Sequence, residues 1–373
     1  MRTPDSSKSP LPGKRKRSHL YNSSGNERGG KAHPVNAEQT GRADRSSPES
    51  PDSEASELTE YFYALTPDRI LEAFREAGIH CQPAVRFLNS LENRVACIHD
   101  EEGERWVAKF YRPRRHSRDA LLEEHQFIKE LRDAGLPVIP PLELKNGRSG
   151  TLGSIAGIFF AIFPHRPGTP PDELDTSKVS ILGEILARIH TVGSRRPSPH
   201  RYLWNPETLG NDDCDVLART IPPDIWRQYE RSARKLIDWM APRLADTPRG
   251  RIHGDFHRGN LLWSSAGPLV VDFDDMTTGP PIQDFWMMVP GRDSEAQALR
   301  EKLISSYERH RSFDRKSLEM VEPMRAFRYI RYAAWLAARR HDPAFTRVLH
   351  DFGTRSYWRE ELTELEAQLE LFM

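Results

Sequence analysis

Between Thr66 and Gly78 the apolar positions recur at helical spacing. Thr66-Pro67-Asp68 sets a hydroxyl cap before proline at the first helical position, with an acidic residue behind it. Ile70, Leu71, Phe74 and Ala77 then share one face, and Gly78 ends the element. The pattern changes to strand-like runs at Ala84 to Leu88, Arg94 to His99 and Arg105 to Tyr111, with turn residues such as Gly103 between the last two. Ser117 to Ala134 is helical again, with Leu121, Phe127, Ile128 and Leu131 on one side and Gly135 closing it. Ile155 to Phe163 reads as one buried strand, broken afterwards by Pro164, Pro167, Gly168, Pro170 and Pro171. Beyond the prolines, Val179, Leu182, Ile185, Leu186 and Ile189 form an amphipathic helix, and Ile225 to Met240 contains another. Two short β runs, Gly259 to Trp263 and Leu269 to Phe273, lie between helices, and the C-terminal hundred residues are mostly helical.

A β-rich part, a proline-marked joint and a helical part give the α+β order of a protein-kinase-like two-lobed fold, with an N-lobe over 58–163 and a C-lobe over 164–373. The 373 residues suffice for two such cores. Residues 1–57 differ: they are crowded with Ser, Pro, Gly and charge, Tyr21 is their single aromatic, and they are expected to form a disordered tail. Within it, Lys14-Arg15-Lys16-Arg17 reads more simply as a solvated charge run than as a nuclear address. Basic and acidic residues balance at 54 each, which gives no general pull toward nucleic acid or an anionic membrane. Cys81, Cys97 and Cys214 form no CxxC pair and no disulfide framework, so the expected compartment is the reducing cytoplasm. No signal-peptide core and no membrane-length apolar run is present. A monomer with neither nucleic-acid nor membrane partners is expected.

The chemistry concentrates in His253-Gly254-Asp255-Phe256-His257-Arg258-Gly259-Asn260. Phosphoryl transfer needs a carboxylate to receive or orient the acceptor hydroxyl, Mg²⁺ bridging the phosphates, and a cation on the nucleotide. Asp255 supplies the carboxylate and Asn260 an amide oxygen. Asp272 follows in Val270-Val271-Asp272-Phe273. A turn at Ser264 to Gly267 would bring Asn260 and Asp272 together as hard oxygen ligands for Mg²⁺. Alone, HGD is a turn and Asp272 to Asp275 an acidic strand end; together, HGDxHxxN and VDF make a specific pattern.

That pattern resembles the catalytic core of the aminoglycoside phosphotransferase–choline kinase superfamily. More closely, the chain is similar to the bacterial stress response kinase A type of Ser/Thr protein kinase. The likeness runs through Leu88-Asn89-Ser90-Leu91-Glu92-Asn93-Arg94-Val95, Val107-Ala108-Lys109-Phe110-Tyr111-Arg112-Pro113 and Leu122-Glu123-Glu124-His125-Gln126-Phe127. It continues through the loop above, Val271-Asp272-Phe273-Asp274-Asp275, Gln283-Asp284-Phe285-Trp286-Met287 and Glu322-Pro323-Met324-Arg325-Ala326. The resemblance implies an ATP-dependent kinase with Asp255 as catalytic proton acceptor and Asn260 and Asp272 holding magnesium. Asp272 thereby also belongs to the catalytic pair.

On spacing alone Lys109 is equally an edge-strand lysine facing water; the resemblance implies the phosphate lysine. Its acidic partner should come from the following helix, where Glu124 shares the inward face of Ile128 and Leu131 and is preferred to Glu123. No GxGxxG lies between the first strands, and the resemblance points to Ser90 as the ATP contact. Ile162 and Phe163 are expected to form the hinge at the adenine. Asp284 is read as a structural anchor of the loop, and His253 and His257 as hydrogen-bonded loop residues rather than metal ligands. Arg325, Arg328 and Arg331 on one helix read as a solvated basic face in preference to a peptide dock. Gly254 stands where many protein kinases carry arginine, and only residues 273–280 separate Asp272 from Pro281. Both features imply activity without activation-loop phosphorylation. The expected acceptors are protein Ser/Thr hydroxyls; the alternatives are a small alcohol, or a nucleotide-binding scaffold without turnover.

Overall fold

In the computed structural model, residues 61–88, 90, 92–145, 150–342, 345 and 351–373 are described, so the expected tail lies outside the described residues. Helix α1 (Pro67–Glu76) starts where its cap places it: the Thr66 hydroxyl accepts the N–H of Arg69 at 3.4 Å. It covers an antiparallel five-stranded sheet built from β1 (Arg86–Leu88), β2 (Arg94–His99), β3 (Arg105–Phe110), β4 (Gly153–Ile155) and β5 (Ile158–Pro164). Their spatial order is β1-β2-β3-β5-β4. Ile70 and Phe74 of the helix pack with Ala96, Ile98, Ala108, Phe110, Phe160 and Ile162, which are the inward positions of strands with a period of two.

Residues 155–163 are not one strand. Ala156 and Gly157 adopt positive φ of 49° and 79° and fold the run into a β4–β5 hairpin. Two successive left-handed residues match the turn to the twist of the flanking strands, and Gly157 is the residue that makes it inexpensive.

Helix α2 (Arg118–Asp133) is capped by Ser117. Its Phe127, Ile128 and Leu131 join the core of the helical part rather than that of the sheet, so the helix ties the two together. That second core is formed largely by α3 (Thr176–Gly193), α4 (Pro206–Ala218), α5 (Pro223–Leu244), α6 (Ile282–Met288), α7 (Ser294–Glu308), α8 (Val321–Ala338) and α9 (Arg355–Leu369). Short strands cross its surface: β6 (Gly250–Ile252) pairs with β9 (Thr277–Gly279), and β7 (Leu261–Ser264) with β8 (Gly267–Val270). The β7–β8 turn falls at the residues expected, but the first run opens as a 3₁₀ turn at Arg258–Asn260 and the second stops at Val270. No helix among the described residues is long and apolar enough to cross a membrane.

Candidate active site

The segment from His253 to Asn260 leaves β6 and is held from behind. Asp284, fully buried on α6, accepts the N–H of His253 at 2.9 Å and of Gly254 at 2.8 Å. Its Oδ2 also accepts from His190 Nε2 at 3.0 Å, and His190 Nδ1 lies 3.1 Å from the Tyr307 hydroxyl. A buried carboxylate satisfied by two amides and an imidazole fixes the loop's path. His253 bonds the Val271 carbonyl through Nε2 at 3.0 Å and stacks near Phe273, its ring 4.5 Å away centre to centre. Gly254 has φ of 86°, and a Cβ built there would lie 2.0 Å from the Asp275 carbonyl oxygen. The loop passes against the 3₁₀ turn Phe273–Asp275 so closely that no side chain fits, which explains why arginine is absent.

Asp255 receives His257 Nε2 on Oδ2 at 3.1 Å and Arg328 Nη1 on Oδ1 at 3.2 Å. His257 Nδ1 accepts the Gly259 N–H at 2.9 Å, which leaves Nε2 as the donor to Asp255. Burial pushes the Asp255 carboxyl up, but His257 and Arg328 outweigh it and hold the group well below the usual carboxylate range. Asn260 donates Nδ2 to the Asp255 carbonyl at 2.9 Å, so its Oδ1 is kept as an acceptor.

Asp272 follows β8 in a left-handed conformation, φ 61° and ψ 66°, which aspartate tolerates better than most side chains. Its carboxylate, half exposed, lies 2.8 Å from Lys109 Nζ, so a β3 side chain meets one from the loop after β8. Lys109 is nearly buried and is also 3.2 Å from Asp274 Oδ1. Burial lowers its pKa, but Asp272, Asp274 and Glu124 more than reverse this and raise it well above the ordinary value.

Glu124 is on the inward face as expected, 1 % exposed, yet it stands 4.0 Å from Lys109, farther than either aspartate. Burial pushes its carboxyl up to about 7 against the pull of Lys109. Glu123 faces elsewhere, accepting the Ser198 hydroxyl at 3.0 Å and the His200 N–H at 3.1 Å. Asp274 is a site residue that the acidic strand-end reading missed. It is buried, bonded to Asn93 Nδ2 at 2.8 Å and to Arg115, and its Oδ1 has no hydrogen bond. Its partners lie on the other lobe, out of reach of any local pattern.

Ser90 is exposed, accepts the Asn93 N–H at 3.3 Å and contacts none of this cluster; its neighbours Asn89 and Leu91 lie outside the described residues. Ile162 and Phe163 are paired within β5, opposite Ala108 and Val107, and the Ile162 carbonyl already accepts the Leu142 N–H at 2.7 Å. The strand continues to Pro164. Glu92, in the β1–β2 connection, is caged by Arg112 and Arg115 and by Arg339, whose Nη2 is 2.7 Å away, with Trp335 Nε1 at 2.8 Å. This fastens the connection to the end of α8.

The expected solvated face on α8 is corrected. Arg325 bonds Glu322 and the Pro290 carbonyl, Arg328 bonds Asp255, and Arg331 lies 3.6 Å from Asp213. After Asp272, the 3₁₀ turn and the β9 pairing with β6 consume the chain up to Pro281, which leaves no activation segment.

Among the described residues no cluster of three or more His, Cys, Asp or Glu is set to hold a metal. Magnesium does not need one, because it binds through one or two carboxylates with phosphates and water completing its shell. Asn260 Oδ1 and the half-exposed Asp272 carboxylate are hard oxygens that suit it.

A β-sheet lobe and a helical lobe closed over a lysine, a loop aspartate and an aspartate after β8 define a kinase-like phosphotransferase. The chain belongs to the phosphotransferase enzyme family (APH), whose model matches residues 84–321, and is a relative of the stress response kinases. It is 36% identical over 314 residues to stress response kinase A of Escherichia coli (strain K12), covering 82% of this chain and 93% of that one. Serine/threonine protein kinase RdoA of Salmonella typhimurium is 36% identical over 318 residues, covering 83% of this chain and 94% of that one. In fold, the chain is similar to amicoumacin kinase hAmiN, solved in complex with AMP-PNP, Ca²⁺ and Ami, with a TM-score of 0.63 and 19% identity over 80% of this chain and 95% of that one.

Proposed function

We propose that this phosphotransferase moves the γ-phosphoryl group of ATP, with Mg²⁺, to Ser/Thr hydroxyls of proteins in a bacterial stress response. One observation carries the ATP chemistry: Lys109 of the sheet lobe meets Asp272 of the helical lobe at 2.8 Å, beside the loop that fixes Asp255 and Asn260. The names of the relatives at 36% identity support protein acceptors and stress.

Lys109 stays charged and holds the nucleotide's phosphates, exchanging its bond to Asp272 for them. Asn260 Oδ1 and the Asp272 carboxylate hold Mg²⁺, which when bound neutralises charge on the phosphates. Asp255 is ionised at neutral pH and accepts a hydrogen bond from the acceptor hydroxyl, orienting its oxygen in line with the phosphorus. So acidic a carboxylate is a weak base, and it takes the proton late, once the new P–O bond has made that proton acidic. His257 and Asn260 keep its rotamer, and Asp284 keeps the loop.

Asp255→Asn is expected to retain ATP binding and lose about 10²-fold or more in turnover, the scale of a removed general base. Asp272→Ala is expected to weaken binding of Mg·ATP itself. Nucleotide titration beside turnover separates the two; full turnover and unchanged affinity in both variants would overturn the assignments.

A further inference from the structure

We propose that Arg328 selects an acceptor carrying an anionic group next to its hydroxyl: on a peptide, a Ser or Thr beside an acidic residue. This deepens the proposed function, since it rests on Asp255 as the group that meets the acceptor hydroxyl.

The hydroxyl has to approach a carboxylate whose two oxygens are both engaged. Oδ2 takes His257, and Oδ1 takes Arg328 Nη1 at 3.2 Å. Any hydroxyl bonded to Asp255 therefore arrives beside a guanidinium. Arg328 is about one-third exposed, at 31%, while so engaged. Nη1 has Met287 Sδ as its other neighbour at 3.6 Å, and Nε and Nη2 make no hydrogen bond among the described residues. A guanidinium is a planar fork that matches a carboxylate or phosphate with two parallel bonds, and one contact through one nitrogen leaves most of it unused.

The surrounding charges point the same way. Arg331, one turn further along α8, is 34% exposed, and its Nη1 stands 3.6 Å from Asp213 without a hydrogen bond. Asp275, the other acid close to Asp255, is bonded to Arg115 at 2.8 Å. Asp213 and Asp275 each already have a cation, which weakens their pull on a positively charged acceptor. An amino alcohol or aminoglycoside would meet the Arg328 guanidinium instead.

A purely structural Arg328, which only holds the Asp255 rotamer, would affect all acceptors alike. The full-length protein and its Arg328→Gln and Arg328→Lys variants are compared on matched serine peptides with Glu, Ala or Lys beside the serine, at saturating Mg·ATP. The wild type is expected to favour the Glu peptide over the Lys peptide by about tenfold or more in kcat/KM, the scale of a charge-assisted bond. Arg328→Gln should erase that preference by raising KM for the Glu peptide while leaving KM for ATP unchanged, and Arg328→Lys should restore part of it. Equal losses on all three peptides, or a wild-type preference for Lys, overturn the proposal. Should the wild type consume ATP but phosphorylate no peptide, glycerate is compared with choline. Preference for the hydroxy acid, lost in Arg328→Gln, upholds the role of Arg328; preference for choline overturns it.

Discussion

Gly254 carries a constraint that no other residue type meets. Its φ of 86° disfavours any side chain, and a Cβ would lie 2.0 Å from the Asp275 carbonyl oxygen. Gly254→Ala must move either the loop or the 3₁₀ turn behind Asp272, and left-handed strain alone costs about 1–2 kcal/mol. The variant is expected to unfold at lower denaturant and to lose turnover more than nucleotide affinity; wild-type stability with wild-type turnover would show that the approach is not rigid. At this scale, Asp255, Asn260 and Asp272 were legible from the sequence as candidates because their spacing is a pattern within one stretch of chain. Asp274 and Arg328 were not. Asp274 takes Asn93 and Arg115 as partners, and Arg328 reaches Asp255 from α8, so both meanings exist only once distant segments meet.

Helix α2 shows what periodicity reveals and what it conceals. Its inward face was legible, and with it Glu124. The distances were not, because Asp272 and Asp274 reach Lys109 from another element. The β4–β5 hairpin was lost for a related reason: an apolar run buried on both sides has no alternation to mark its turn, and only Gly157 signals it. Glu124 yields a pH test. Its folded-state pKa, pushed up to about 7 from the ordinary 4.5, means that the folded protein holds this proton more tightly than the unfolded chain. The resulting stability is full below about pH 4.5 and is lost as pH rises through about 7. Asp213, pushed up to about 6, acts in the same sense, whereas His116 and His125, both pushed down to about 3 by burial, act in the opposite sense as the unfolded chain loses its imidazole protons near 6.5, so Glu124 is read from the difference between the wild type and Glu124→Gln. Urea midpoints measured between about pH 6 and 7 should fall in the wild type relative to Glu124→Gln as pH rises. The same slope in both would place the titration elsewhere.

Across the whole molecule, the lobes are joined at several independent places. Phe127, Ile128 and Leu131 of α2 sit in the helical core, Lys109 meets Asp272, and Glu92 is clamped by Arg339. Nothing between Asp272 and Pro281 is left to be ordered by a phosphate, since that stretch is already paired as β9 or turned as 3₁₀ helix. The order of lobes was legible because a change from strand to helical periodicity, marked by prolines, is a long-range feature of composition. How the lobes are fastened was not legible, because it depends on pairs such as Glu92 with Arg339. On the proposed function, phosphoryl transfer needs no prior activation. The direct measurement is transfer of label from γ-labelled ATP by freshly purified, unphosphorylated protein, set against a generic protein substrate and a panel of small alcohols. Mg²⁺-dependent labelling of protein Ser/Thr, absent in Asp255→Asn, is the expected result. Labelling of an alcohol alone, or no transfer until another kinase has modified the protein, would contradict it.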